Sequence, residues 1–496
     1  MLLKQILADI DYSVNADVAL VDEISVTDIV YDSRKAVIGT MFVCLVGAAA
    51  DGHNFASGAY SMGCRVFMVE RELELPSDAI QIVVSDTRAG LAYASAAFFE
   101  YPARSLAVIG VTGTKGKTTT ASLIADILCK GGINTAYIGT TGIVINGEHT
   151  PTKNTTPESY ELHKAFREMV TKGVACVVME VSSQAMYMRR VAGIHFHIGV
   201  FTNLSPDHIG GVEHPTFEHY MECKAALFSQ CRYGIFNSDD SHYTDMLRSA
   251  RSINTTFGVN PDLPHDISAR DIKIHKSENT LGSRFVCKSL LGETEYELRM
   301  PGEFNVYNAL AAIAVAERMQ IKSDVIREAL AAATVRGRFE IVDALPTAVT
   351  IIDYAHNELS MRAALETIRR YQPTRLVVLF GSVGGRTKQR RSELGEVVSS
   401  LADFCIITSD NPDHEPPQEI IADIEKSVAA TSCPYVTFVD RRDAVRYAID
   451  NARDGDCILF AGKGHEQYQL IEGEYVHYDE REEVMVAAAA KLAKIK

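Results

Sequence analysis

Basic residues are in deficit in this chain: 49 Lys and Arg against 64 Asp and Glu leave a net charge of −15 over 496 residues. That balance argues against non-specific affinity for nucleic acid or an anionic membrane surface. It leaves room for a small anionic substrate, which needs only a local basic pocket. No uninterrupted apolar run of about 18 residues occurs, so no membrane span is expected. Ten cysteines are scattered without a CxxC pair, and no His-Cys cluster stands out. Neither a zinc site nor a disulfide framework is therefore indicated, and the thiols read as reduced, buried groups of a cytoplasmic protein. The run MLLKQILADIDYS is broken by Lys4, Asp9 and Asp11 and does not read as a signal peptide. Internal repeats and low-complexity segments are also lacking.

The length predicts two to four domains, and an apolar fraction of 47% is ample for their cores. The most informative stretch is VIGVTGTKGKTTTASLIADIL, residues 108–128. A β-branched strand runs into a glycine turn, then Lys117-Thr118, then a helix with apolar periodicity. This order predicts a phosphate-binding loop. Backbone N–H groups around Gly113 and Gly116 and the positive end of the helix cradle a triphosphate. Lys117 reaches the outer phosphates and the Thr118 hydroxyl holds Mg²⁺. The pattern is a variant, with Val111 where the first glycine usually stands.

Segment character changes near Pro102 and again after VRGRFE (335–340). Before the first change, short strands at TMFVCLVG, CRVFMVE and AIQIVVS are expected. Between the two, buried strands at Leu106–Val111, Val174–Val181 and His197–Thr202 alternate with amphipathic helices, predicting a mostly parallel sheet. After the second, VTIIDY, RLVVLFG, FCIIT, YVTFV and CILFAG predict a smaller doubly wound domain with a crevice at its strand carboxyl ends.

Glu180 ends a buried strand in VVMEVSSQA and reads as a Mg²⁺ ligand or as a charged strand terminus. In FTNLSPDHIGGVEHPTFEHYMECKAALF, His208 is either a second-metal ligand or a core histidine. Lys224 sits on a helix rich in apolar residues, where a lysine ordinarily snorkels to solvent. Asn305 and Asn308 share a helix face at i, i+3 spacing, either as a cap or as an amide pair near a nucleotide. Four polar or glycine-rich loops, DYAHNELSM, GSVGGRTKQRRSELG, SDNPDHEPP and AGKGHEQYQ, all follow strands of the last segment and predict a binding crevice.

Taken in order, GTKGKTT, NTTP, MEVSSQA, TNLSPDH, GEFNVYNALAA, VRGRFE, DYAH, DNP and GKGHE resemble the Mur ligases over essentially the whole chain. The resemblance implies an α/β, three-domain architecture. Residues 1–103 correspond to a UDP-binding domain, 104–335 to a central P-loop ATPase domain, and 336–496 to a Rossmann-like, amino-acid-binding domain. It implies an ATP- and Mg²⁺-dependent ligase that adds the third amino acid to UDP-N-acetylmuramoyl-L-Ala-D-Glu through an acyl phosphate, as a monomer in the cytoplasm. Ser33 and Arg34 correspond to the nucleotide-sugar contacts. Asn154, Thr155, Thr156, Ser182 and Arg190 correspond to the muramoyl dipeptide contacts. Gly113, Thr114, Lys115, Gly116, Lys117, Thr118 and Thr119, with Glu180 and His208, resemble the ATP and Mg²⁺ residues. Lys224 matches the lysine that is carbamylated in this family, which makes it a carboxylate-like metal ligand. Asn305, Asn308, Arg338, Asp353 and His356 resemble the groups around the adenosine and phosphates. Arg391, Asn411, Asp413, Gly462 and Glu466 correspond to the pocket of the incoming amino acid.

Diaminopimelate-adding members carry DNPR, whose arginine can fork onto a distal carboxylate. This chain has DNPD, and Asp413 would attract a distal ammonium instead. Lys115 and Gln184, where other members have Asn and His, point the same way. L-lysine is therefore the expected amino acid. Ornithine, meso-diaminopimelate with Arg391 as its carboxylate partner, and a folylpolyglutamate-type ligase with another acceptor are the alternatives.

Overall fold

The computed structural model describes residues 1–15, 18–47, 50–207, 209–210, 213–277, 280–385 and 387–495. It divides into two compact units, Met1–Asp266 with Ala311–Ile321, and Ile267–Leu310 with Lys322–Lys496.

The first unit contains two sheets. Strands β1 (Ser13–Val14), β2 (Asp28–Val30), β3 (Thr40–Val43), β4 (Val66–Val69) and β5 (Ile80–Val83) form the first, in the order β1-β5-β4-β3-β2. Only β1 runs antiparallel to its neighbour. Successive residues feed opposite cores: Met41, Val43, Met68 and Ile82 one, Phe42, Phe67 and Val69 the other. Burial on both faces explains why these strands read as continuous apolar runs.

The second sheet is built on β6 (Ala107–Thr112), β7 (Thr135–Gly139), β8 (Gly142–Ile145), β9 (Glu148–Thr150), β10 (Cys176–Glu180), β11 (Phe196–Phe201), β12 (Cys231–Asn237) and β13 (Ile253–Gly258). Their order is β13-β12-β11-β6-β10-β7-β8-β9. β6 lies between β10 and β11, parallel to both, so the loop leaving β6 is flanked by the loops leaving those two strands. An antiparallel hairpin, β8–β9, continues from β7 at the edge, where no strand is expected from the apolar pattern. The helix Lys117–Lys130 follows β6. Its residues Leu123, Ile124, Ile127 and Leu128 are buried, at the spacing that puts one stripe against a sheet.

The second unit opens with an antiparallel meander, β14 (Ile267–Lys276), β15 (Leu281–Ser289) and β16 (Gly292–Leu298). Its main sheet comprises β17 (Glu340–Val342), β18 (Val349–Asp353), β19 (Arg375–Phe380), β20 (Phe404–Thr408), β21 (Tyr435–Phe438) and β22 (Asp456–Ala461), in the order β17-β18-β22-β19-β20-β21. All but β17 are parallel, and separate cores cover the two faces. The hairpin β23 (Tyr468–Ile471) and β24 (Glu474–His477) follows. The division into units does not fall at 103 and 335, yet each of the three expected segments holds its own set of adjacent parallel strands. Among the described residues, no helix is long and apolar enough to cross a membrane.

Candidate active site

Gly113 and Gly116 both take positive φ, 150° and 82°. A Cβ on Gly113 would lie 2.0 Å from Thr202 Oγ1, so only glycine lets this turn pass the loop that follows β11. That loop clamps the turn. The Thr114 N–H donates to Asn203 O (2.8 Å) and the Lys115 N–H to Asn203 Oδ1 (2.9 Å). The Thr202 hydroxyl donates to Lys115 O (2.7 Å). The Lys115 ammonium points outward to Asp207 at 3.1 Å. Gly116 is the N-cap and makes no side-chain cap bond, which leaves the first N–H groups of the helix, through Thr119, available to an anion.

Glu180 is fully buried at the end of β10. Its Oε1 accepts from the Tyr137 hydroxyl (2.7 Å) and the Thr140 N–H (2.8 Å). Its Oε2 accepts from the Thr118 hydroxyl at 3.1 Å. The structure thus joins Thr118 to Glu180, two residues read separately as metal ligands. Tyr137 and Thr140, which fix the carboxylate, carry no motif and were missed. Lys224 does not snorkel: it is 1% exposed, with Nζ 2.8 Å from Gly113 O and 4.5 Å from the Tyr220 ring centroid. Burial first, and the nearby Lys117 ammonium second, push its pKa well below the ordinary lysine value. Lys117 Nζ itself donates to Gly113 O and Thr114 O at 2.9 and 3.0 Å. His208 lies outside the described residues.

Thr156 bridges two elements, donating to Glu180 O (2.9 Å) and accepting from the Ser182 N–H (3.1 Å). Thr155 and Thr140 meet hydroxyl to hydroxyl at 3.1 Å. Ser182 caps the short helix Ser183–Tyr187. Arg190 donates to Glu158 Oε1 (2.6 Å) and Thr156 O (3.1 Å), while Asn154 is exposed. Ser33 and Arg34 lie in a 3₁₀ turn capped by Asp32. The exposed Arg34 guanidinium folds back onto that carboxylate at 2.7 Å and holds the Asp32 pKa down at about 2.

Beyond these, His214, His219 and Cys223 bring one ligand atom each to within 4.8 Å of one another. This corrects the expectation that no His-Cys cluster exists. The H-x₄-H-x₃-C spacing was the available signal.

In the second unit, β18, β22, β19 and β20 are neighbours in that order, so the four predicted loops emerge side by side at their carboxyl ends. Asp353 accepts from the Phe339 and Ala355 N–H groups, each at 2.8 Å. Burial raises its pKa against the pull of Arg338. Arg338 lies over the Tyr354 ring at 5.0 Å, with a buried Nε that has no hydrogen-bond partner. His356, packed on Tyr354 at 4.7 Å, has its pKa lowered by burial. Asn305 and Asn308 are buried and joined to each other, Asn308 Nδ2 donating to Asn305 Oδ1 at 2.9 Å.

A fully buried Lys463 organises the next loops. It donates to Asn411 Oδ1 (2.8 Å) and Glu466 Oε2 (2.7 Å), and Asn411 Nδ2 donates to the same Glu466 oxygen at 3.0 Å. Gly462 passes so close that a Cβ would sit 2.7 Å from Asp410 Oδ2. Arg441, also fully buried, pairs with Glu480 at 2.8 Å and donates to the carbonyls of Ser409 and Ala461. It therefore ties together the chain leaving β20 and β22. Lys463 stood in the quoted GKGHE motif without a role, and Arg441 carried no motif at all.

Two expected pocket residues are already engaged. Arg391 is 1% exposed and pairs with Glu415 (2.6 Å) and Asp423 (3.1 Å). The guanidinium lowers the Glu415 pKa, and Glu415 also accepts from the Gly385 N–H at 3.1 Å. Asp413 adopts a left-handed φ of 53°, and its Oδ1 accepts from the Gly473 N–H at 3.0 Å, capping the β23–β24 turn.

Residues 111–316 match the model of the Mur ligase middle domain, and residues 337–464 that of the Mur ligase, glutamate ligase domain. The chain is 39% identical over 492 residues to the UDP-N-acetylmuramoyl-L-alanyl-D-glutamate–2,6-diaminopimelate ligase of Clostridium perfringens, covering 98% of this chain and 99% of that protein. The namesake from Caldanaerobacter subterraneus is 39% identical over 460 residues, covering 92% and 94%. Among solved structures, a ligase of the same name aligns with a TM-score of 0.72 at 28% identity, covering 99% of both chains. A MurF ligase from Thermotoga maritima in complex with ADP shares the fold, with a TM-score of 0.59 at 18% identity, covering 96% of this chain and all of that one.

Proposed function

Because the chain belongs to the Mur ligase family of ATP-dependent amide ligases, we propose that it joins a free diamino acid to UDP-N-acetylmuramoyl-L-Ala-D-Glu. A carboxylate is a poor acceptor for an amine, so ATP first converts it to an acyl phosphate; the amine then attacks and phosphate leaves. The observation that carries the reading is the pairing of Thr118 with Glu180 on the floor of the loop 113–116. Hydroxyl and carboxylate oxygens are hard donors that suit Mg²⁺. Mg²⁺ held there supplies neutralisation of phosphate charge.

Lys117 releases the loop carbonyls to neutralise the outer phosphates. The helix start at Gly116 orients them, and Lys224, once carbamylated, adds a further oxygen donor. His208 is read as belonging to the same set. Asn154, Thr155, Thr156, Ser182 and Arg190 serve the dipeptide, and Ser33 and Arg34 the nucleotide-sugar. Asn305, Asn308, Arg338, Asp353 and His356 serve the nucleotide, and Asn411, Gly462 and Glu466 the incoming amino acid. Residues 1–103, 104–335 and 336–496 are read as the three working domains.

The amino acid read here is 2,6-diaminopimelate, the one in the names of the similar ligases; it replaces lysine, the expectation from DNPD. Lysine stays as the second reading, favoured by one observation: Asp413 stands where an arginine would grip the distal carboxylate, and Arg391 is held by Glu415 and Asp423. The test is phosphate release from Mg·ATP with the UDP-muramoyl dipeptide and, separately, meso-diaminopimelate, lysine or ornithine. A product heavier by diaminopimelate supports the reading, and silence with all three overturns it.

A further inference from the structure

The helix Phe217–Ala225 carries His219 and Cys223 at i and i+4, so both leave the same face; His214 comes from the segment before it. His214 Nδ1 lies 3.0 Å from His219 Nδ1. Cys223 Sγ lies 3.8 Å from His219 Nε2 and 4.0 Å from Nδ1. In a tetrahedral zinc centre, the usual bond lengths separate two ligand nitrogens by about 3.3 Å, and a nitrogen from a sulfur by about 3.5 Å. The two separations that involve His219 Nδ1 lie within about half an ångström of those values, and the ligand atoms of all three residues lie within 4.8 Å of one another. The opposite nitrogen of His214, Nε2, lies 2.9 Å from Ser183 Oγ, the outer contact that fixes a ligating imidazole. His219 and Cys223 line a cavity of about 1290 Å³, which supplies an entry path.

We infer that His214, His219 and Cys223 form a site for a soft divalent cation, Zn²⁺, whose fourth position is left to water. Two imidazoles and a thiolate select such an ion, in contrast to the oxygen donors Thr118 and Glu180. Binding displaces the Cys223 proton to solvent. The ion joins the helix bearing Lys224 to the turn after β10, through His214 and Ser183. This inference stands independently of the ligase reading.

The full chain, stripped with chelator and titrated with Co²⁺, tests it. The expected result is saturation at a single equivalent, with a thiolate charge-transfer band and tetrahedral ligand-field absorption, both displaced by Zn²⁺. Cys223→Ser abolishes the thiolate band, and Ser183→Ala weakens binding about 10- to 100-fold. Cys129→Ser, at an exposed cysteine, changes nothing. Should Cys223→Ser fail to fold, His219→Ala reads the same loss of tetrahedral absorption. No thiolate band in the parent chain, or a band lost only with Cys129→Ser, overturns the proposal.

Discussion

Lys117 and Lys224 direct their amine nitrogens at one acceptor, the carbonyl of Gly113, at 2.9 and 2.8 Å. One is the helix-start lysine of the phosphate loop; the other arrives from a helix more than a hundred residues later. Two ammonium groups on one carbonyl repel, and burial penalises charge on Lys224 further. The result is a lysine biased toward its neutral, nucleophilic form, which is the form that reacts with carbon dioxide.

Replacing Lys117 with Ala removes the cation proposed above to meet the outer phosphates. We expect a loss of about 10²–10³-fold in kcat, with the fold retained, read as phosphate release alongside circular dichroism.

Lys224→Ala should lose activity that added formate or acetate partly restores. On the proposed reading, the short carboxylate takes the place of the carbamate oxygens. Full activity without rescue would make the lysine structural. Intact mass under bicarbonate supplies the second readout.

His163 is buried with both ring nitrogens unpartnered, and burial lowers its pKa from 6.5 to about 4. The unfolded chain takes up this proton near pH 6.5 and the native chain only near 4, so stability falls as pH drops through that window. The difference corresponds to about 3 kcal/mol. His163→Leu should remove this part of the acid sensitivity, as measured by urea unfolding at pH 7 and pH 4.5.

Arg441→Met leaves the buried Glu480 carboxylate without its partner and frees two carbonyls at the strand ends. A loss of about 3–5 kcal/mol is expected. Arg441→Met with Glu480→Leu should recover much of it, since the stranded charge is then gone. Thermal unfolding of the single and double variants decides this.

Asp413→Asn keeps an acceptor for the Gly473 N–H, and asparagine tolerates the left-handed backbone, so the hairpin cap survives while the charge goes. The ratio of kcat/KM for diaminopimelate to that for lysine should rise. An unchanged ratio would mean that Asp413 is only a cap.

The sequence predicted the parallel strands and the phosphate loop well, because a doubly buried strand and a Gly-Lys-Thr helix start leave strong local signals. β6, β10 and β11 fall within two residues of their expected bounds. Groups that act across the sheet stayed hidden. Nothing local marks Tyr137 as the donor to Glu180, Arg441 as the tie between β20 and β22, or Glu415 as the partner that occupies Arg391. Each depends on strand order, which periodicity does not encode. The β14–β16 meander escaped for a different reason: it is half-exposed and polar, so it lacks the apolar runs used to find the other strands.

β22 is the last strand of its sheet to be synthesised, yet it lies between β18 and β19. During translation the earlier strands therefore wait with two unpaired edges, and the ladder closes only once residues near 461 leave the ribosome. The same strand delivers Gly462, Lys463 and Glu466, so closure of the sheet and assembly of the loop cluster are one event. A chain stopped before Asp456 would expose open strand edges, which are templates for aggregation, and would leave Asn411 without Lys463 and Glu466, its partners in that cluster.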